Sequence, residues 1–269
     1  MTAAQAPAGT SPSREEAVAR RAILPHRSYR TLPSTATGAF AALACTVLVE
    51  LALALYFAPL ARTLTQVDAS VLQRMGFPVG LESTAFLGKA LTALTFTMPV
   101  HRYLELVLWI LACLAGIVLF TVLKSLPAPL RYFVNFNLLI VCAEATYLLF
   151  AGHLGYSARG FSVLMLRTMI VTWFVIPAFV GAMVALFPFR AWETAAIIVA
   201  CVAYDFLLEG VRYAAFAALL THTGPILMSD LFLLYGPLLD IIPIIGIFAI
   251  ALAYLSRRMQ ASVGAWEWL

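Results

Sequence analysis

The feature that most constrains this chain is a series of long apolar runs separated by short polar connections. Each run is long enough for a helix to cross the roughly 30 Å hydrocarbon core of a bilayer. Hydrophobic residues make up 63% of the chain and charged residues 11%, a balance that excludes a water-soluble globule of this size. The sequence predicts an all-α, polytopic transmembrane helical bundle of about six spans, at 37–60, 102–124, 132–152, 162–187, 192–220 and 229–256.

The segments outside these runs complete the predicted organisation. Residues 1–33 are a polar, Arg-rich stretch without apolar periodicity, and we expect a disordered cytoplasmic tail. Residues 34–260 form the transmembrane domain, and 261–269 form a short C-terminal tail. Within the domain, residues 61–101 are predicted to be an outer-face loop, in which the short apolar stretch at 83–99 forms an interfacial or re-entrant helix.

The distribution of basic residues predicts the orientation of the spans. Lys and Arg are enriched in the short cytoplasmic loops of membrane proteins. With six spans, ten basic residues fall on the side of the N-terminal tail and five on the other, so both termini are predicted to be cytoplasmic, in a cell inner membrane. The ten are Arg14, Arg20, Arg21, Arg27, Arg30, Lys124, Arg131, Arg190, Arg257 and Arg258, and the five are Arg62, Arg74, Lys89, Arg102 and Arg159.

Seven ionisable side chains are predicted to lie within the spans, all between the bilayer midplane and the outer face. An ionised group at this depth costs a few kcal/mol unless it is paired, hydrated or neutralised. Five acids and two bases cannot all be ionised and paired internally, which favours protonation or cation binding. The alternative is that these groups only hold helices together. The seven are Glu50, Glu144, Arg167, Asp205, Glu209, Arg212 and Asp240.

The clearest local pattern is CVAYDFLLEGVRY in the fifth span. Cys201, Asp205, Glu209 and Arg212 are separated by four, four and three residues, which places them on one face of a helix. Arg212 can neutralise Glu209, and Asp205 then needs another base, a cation, water or a proton. Arg167 of the fourth span is a candidate for that base.

Two more spans carry polar residues that could meet this face. Gly236, Pro237 and Pro243 surround Asp240 in the sixth span, and the prolines predict a kinked or broken helix there. Broken helices at membrane depth often line ion or substrate sites, although an ordinary proline kink is the alternative. Glu144 in the third span is a further candidate.

The histidines and cysteines predict neither a metal site nor a cofactor. His101, His153 and His222 lie at outer ends of spans, with no HExxH motif and no pair four residues apart. The four cysteines lie inside apolar segments, where they behave as small hydrophobes. We expect no metal, haem or disulfide framework.

The segment LEGVRYAAFAALLTHTG resembles the outer-face Arg and His segments of exosortase-like membrane transpeptidases. In this resemblance, Arg212 and His222 correspond to the functional Arg and His. Those enzymes also need a nucleophilic cysteine in a Cys-Ser/Thr-Gly context. Neither Cys142 nor Cys201 has that context here, which leaves the implied transpeptidase activity without its nucleophile.

Three functions remain open from the sequence. The first is a small transporter, or a membrane subunit of a complex, in which Asp205, Glu209, Arg212 and Asp240 handle a cation, proton or small polar substrate. The second is a membrane-embedded peptidase or transferase acting at the outer face. It would use His222 as acid or base and Arg212 as an oxyanion or phosphate clamp, with Cys142 or Asp230 as further candidates. The third is a structural or assembly protein. The expected partners are the lipid bilayer, other membrane subunits or a second copy of the chain, and no nucleic acid.

Overall fold

The computed structural model describes residues 30–31, 36–152, 157–260 and 267–268. Helices make up 80% of the structure, and six of them are long and apolar enough to cross a membrane. The prediction of a mostly helical chain with about six helices able to span a membrane is therefore confirmed. The helices are α1 Ala36–Arg74, α2 Tyr103–Val122, α3 Ala128–Ala151, α4 Ala158–Ala185, α5 Ala191–Thr223, α6 Met228–Leu233 and α7 Pro237–Gln260, with a 3₁₀ turn at Gly224–Leu227.

Four strands accompany the helices: β1 Arg30–Thr31, β2 Val79–Phe86, β3 Lys89–Phe96 and β4 Glu267–Trp268. The two-residue strands β1 and β4 pair in antiparallel fashion, which brings the segments before α1 and after α7 to the same end of the bundle. An even number of crossings has this consequence. Most of the predicted tail at 1–33, most of 261–269, and His153 lie outside the described residues.

The first helix is much longer than the predicted span at 37–60. It continues to Arg74, and its 39 residues are about 58 Å long at 1.5 Å per residue. Ala61, Leu64, Asp68 and Leu72 are buried along its second half. The expectation that residue 61 begins a loop is therefore wrong, because spacings of three and four keep one face of this segment in the core.

The predicted helix at 83–99 is also wrong, because this stretch is a β-hairpin. Strands β2 and β3 pair from Val79 opposite Phe96 to Phe86 opposite Lys89. The turn between them is Leu87 and Gly88, with φ values of 50° and 73°. Two consecutive residues with positive φ form the kind of tight turn that joins two antiparallel strands.

Side chains from three helices hold this hairpin in place. Arg62 of α1 donates twice to the carbonyl oxygen of Ala90, at 2.9 and 2.6 Å. The backbone N–H of Leu94 donates to the hydroxyl of Tyr213 on α5 at 3.0 Å, and that hydroxyl also hydrogen-bonds to Ser162 on α4. The hairpin is thus a fixed part of the bundle.

The buried core has three parts. The largest joins α1, α4, α5 and the hairpin, and includes Trp173 and Tyr213. The second joins α4, α5 and α7, and includes Ile198 and Phe248. The third consists of α2 and α3 packed on Ile226, in the segment that links α5 to α7. This linking segment continues into the polar site.

Candidate ion site between α5 and α7

The polar stripe predicted on α5 is present and buried. Cys201, Asp205, Glu209 and Arg212 are each exposed by 3% or less. Their common face meets the first turn of α7, where Asp240 lies. One helix face and one helix start therefore supply the four charged groups that the sequence assigned to a single site.

Arg212 binds the connection between α6 and α7 and also the first turn of α7. Its Nη1 donates to Asp240 Oδ1 at 2.7 Å, to the carbonyl oxygen of Tyr235 at 3.3 Å, and to that of Gly236. Its Nη2 forms an ion pair with Glu209 on the same helix. The expected Glu209–Arg212 pair is formed, and Arg212 is shared with a second acid.

The predicted break near Asp240 is confirmed. Helix α6 ends at Leu233 and α7 begins at Pro237, so the helical backbone is interrupted for three residues. Pro243 lies inside α7 without ending it. Arg212 satisfies two carbonyl oxygens that the break exposes, and the start of α7 places partial positive charge beside Asp240.

Asp205 has no comparable partner. Both its carboxylate oxygens are buried without a hydrogen-bond partner among the described residues, and so is Oε1 of Glu209. Asp205, Glu209 and Asp240 each place a carboxylate oxygen within 4.8 Å of the other two. We call these three residues the carboxylate cluster. Within the described chain, Arg212 is the only base that pairs with it.

Arg167 does not lie at this site, and the pairing with Asp205 for which it was a candidate is not observed. Its side chain is exposed and donates to the carbonyl oxygen of Ala85 at 3.2 Å, near the hairpin turn. The guanidinium also lies 5.7 Å from the ring centroid of Phe86. It stabilises the hairpin from α4, as Arg62 does from α1.

Glu144 is buried in a different place. Its Oε2 accepts a hydrogen bond from the backbone N–H of Ser229 at 3.0 Å, which ties α3 to α6. Its Oε1 is buried without a partner in the described part of the chain. Glu50 on α1 is partly buried and makes no ion pair with any described residue. The meeting of Glu144 with the α5 stripe is thus not observed.

The histidines are separate from the carboxylate cluster. His222 is exposed near the end of α5, with its ring 5.4 Å from that of Phe77. Ten residues separate it from Arg212, about 15 Å of helix. His101 contacts Glu105 at 3.2 Å and the carbonyl oxygen of Thr223 at 2.7 Å. The enzyme hypothesis requires Arg212 and His222 to act in one site. The structure does not bring them together.

Two buried polar features escaped the sequence analysis. Asp68 on α1 is 6% exposed, its Oδ2 lacks a partner among the described residues, and it faces α5 beside Gly210. The Tyr213 hydroxyl joins α5 to Ser162 on α4 and to Leu94 of the hairpin. The sequence did contain a signal for the burial of Asp68. It continues the buried face of α1, at helical spacing from Ala61 and Leu64.

No protein-family model matches the chain, and no curated protein or solved structure is significantly similar to it. The architecture and the chemistry of the buried acids therefore carry the functional interpretation.

Proposed function

We propose that this chain is an inner-membrane protein whose carboxylate cluster binds a small cation in exchange for protons, as a transporter or as a membrane subunit of a larger complex. The observation that carries this proposal is Asp205, which is buried with both carboxylate oxygens unpartnered among the described residues. It lies beside two other acids that share a single base.

The charge balance of the site requires neutralisation. Three ionised carboxylates and one guanidinium carry a net charge of −2. A buried charge without compensation costs several kcal/mol in a low-dielectric interior. Protons or a bound cation supply that compensation without any further residue. Because both occupy the same oxygens, they compete for the cluster.

The ligand atoms indicate the class of cation. Carboxylate and backbone carbonyl oxygens are hard ligands, which favour Na⁺, Mg²⁺, Ca²⁺ or Mn²⁺ over metals that prefer imidazole or thiolate. No histidine of the described chain contacts the cluster. Arg212 acts here as a positioning group, since its donors are directed at Glu209, Asp240 and the carbonyl oxygens of the break.

The position along α5 supports a site in the outer half of the membrane. With Ala191 at the cytoplasmic interface, Asp205 lies about 21 Å and Arg212 about 32 Å along the helix, compared with a hydrocarbon core of roughly 30 Å. The interrupted helix beside it has the form that many transporters use to bind ions at membrane depth. Transport would be coupled to an ion gradient or to partner subunits.

Thermal unfolding of the purified protein in mild detergent tests the proposal. We expect one of the four cations to raise the melting temperature, with the effect weakening as pH falls because protons occupy the same carboxylates. A cation at 100 times its Kd stabilises the folded state by about 2.7 kcal/mol. Asp205→Asn should weaken the apparent affinity about tenfold or more, since a hydrogen bond or contact to a charged group contributes about 1.5–3 kcal/mol.

Asp68→Asn is the matched control, because Asp68 is equally buried on another helix and lies outside the cluster. It should keep the wild-type cation response. A wild-type protein that is indifferent to all four cations and to pH, with Asp205→Asn behaving identically, would disprove cation binding. Cation flux into proteoliposomes then distinguishes the two forms of the proposal. A transporter moves the cation across the membrane without a partner, whereas a subunit of a complex binds the cation but does not transport it.

The contacts of Arg212 favour a second candidate, a structural or assembly role. One guanidinium ties α5 to the break and to α7 through two acids and two carbonyl oxygens. If the cluster is purely structural, Arg212→Lys should lower the yield of folded protein and Asp205→Asn should leave the yield unchanged. Neither variant should then respond to a cation.

A further inference from the structure

We propose that a cavity between α3, α4 and α6 is a second binding site, which takes a primary ammonium group attached to an apolar, membrane-dissolved molecule. The cavity has a volume of about 290 Å³. Its polar lining consists of Glu144 and Ser229, and the remaining walls are apolar: Phe161, Leu164, Met228 and Phe232. This site is independent of the carboxylate cluster.

Glu144 is the group that would bind the ammonium. It is 5% exposed, and only Oε2 is satisfied, by the backbone N–H of Ser229 at 3.0 Å. Oε1 is buried and has no hydrogen-bond partner among the described residues. An unsatisfied carboxylate oxygen in a cavity is a strong acceptor for a charged donor, because a hydrogen bond to an ionised group is about twice as strong as a neutral one.

The surrounding charge selects a cation over an anion. Asp230 follows Ser229 directly, is buried, and also has an oxygen without a partner within the described ranges. No described Lys, Arg or His forms an ion pair with either acid. A primary ammonium has three donors and a compact charge, which suits one free carboxylate oxygen beside a second acid.

The mouth of the cavity indicates where the rest of the ligand lies. Leu164 and Leu233 stand at its edge and are 36% and 59% exposed. Both belong to segments that are long and apolar enough to span a membrane, and we infer from this that the opening faces the apolar phase. An alkyl chain packs against these leucines while the amine enters. A phosphate beside the amine would find no basic partner in this lining, which favours a simple amine amphiphile over an aminophospholipid.

Binding of decylammonium to the purified protein tests this inference. We expect saturable binding by isothermal titration calorimetry in mild detergent, with decanoate and decanol binding at least about tenfold more weakly because they lack the cationic donor. Glu144→Gln removes the charge with little change in shape and should weaken decylammonium binding by a similar factor. Asp68→Asn, an equally buried acid outside the cavity, should bind as wild type does.

A second variant protects the test against misfolding of Glu144→Gln. Leu164→Trp fills the mouth from a partly exposed position and should abolish binding without changing any charge. Decanol binding as tightly as decylammonium, or both variants binding like wild type, would overturn the inference. Competition by phosphatidylethanolamine, but not phosphatidylcholine, in nanodiscs would identify the amine source as a lipid headgroup, and no competition would identify a free amine amphiphile.

Discussion

Arg212 and Tyr213 are neighbours on α5 that serve different parts of the molecule. Consecutive helical residues point about 100° apart. Arg212 therefore faces Asp240 and the break before α7, while Tyr213 faces α4 and the hairpin. Both are almost completely buried, and each satisfies polar groups that would otherwise be unpaired. A single turn of one helix thus organises both the candidate ion site and the hairpin.

The Tyr213 hydroxyl gives the most local stability prediction. Tyr213→Phe leaves the buried N–H of Leu94 without its acceptor, and an unsatisfied buried donor costs about 1–3 kcal/mol. The melting temperature in detergent, followed by intrinsic fluorescence, should fall. Tyr204→Phe is the matched control, because Tyr204 lies on the same helix and is 44% exposed. Equal effects of the two substitutions would show that the hydrogen bond is not the cause.

Residue spacing revealed some of these positions and not others. The stripe from Cys201 to Arg212 was predictable, because a four-residue period of polar groups in an apolar run has one helical explanation. The partners of these side chains could not be predicted from the spacing. Arg167 was available as a partner for the acids of α5, and Asp240 as a partner for Arg212. Only the fold decides that Asp240 pairs with Arg212 while Arg167 lies at the hairpin.

At the scale of elements, α1 and α4 approach each other closely at Gly181. An added Cβ there would overlap Thr46 Oγ1 and lie 3.2 Å from Thr46 Cβ. Small residues allow helix backbones to come close in membrane proteins. The contact between α1 and α4 therefore depends on the absence of a side chain at this position.

Gly181→Ala should consequently destabilise the bundle by about 1–3 kcal/mol, the usual cost of overpacking. Combining it with Thr46→Ala should recover part of this loss, because the overlapping hydroxyl is then gone. Gly246→Ala on α7 is the control: an added Cβ there has no neighbour within 4 Å, and alanine favours the helix by about 0.5–1 kcal/mol. Denaturant unfolding of the four proteins measures these effects. A Gly181→Ala variant as stable as wild type would exclude close packing as the reason for this glycine.

The hairpin is the element that sequence reasoning missed. Its composition is as apolar as a short span, and the turn at Leu87 and Gly88 lacks the Asn-Gly or Asp-Gly pair that normally marks a hairpin. The alternating burial of β2 shows the period of two that separates a strand from a helix. The second half of β3 is buried or partly buried at every residue, so exposed and buried positions do not alternate clearly along this strand.

At the scale of the whole molecule, the six long helices and the charge bias make one prediction about topology. The hairpin precedes α2 along the chain and the connection at 123–127 follows it, so one crossing separates them when α2 spans the membrane. The positive-inside rule predicts that the connection with Lys124 is cytoplasmic and that Lys89, beside the hairpin turn, faces outward. Both lysines are exposed and outside the helices.

Cysteine labelling in intact cells decides this arrangement. Lys89→Cys should react with a membrane-impermeant maleimide from outside, and Lys124→Cys should react only after the membrane is permeabilised. The wild-type protein is the background control, because its four cysteines lie within the helices. The opposite pattern would invert the topology and move the carboxylate cluster to the cytoplasmic half. Labelling of both sites from one side would show that α2 does not cross the membrane.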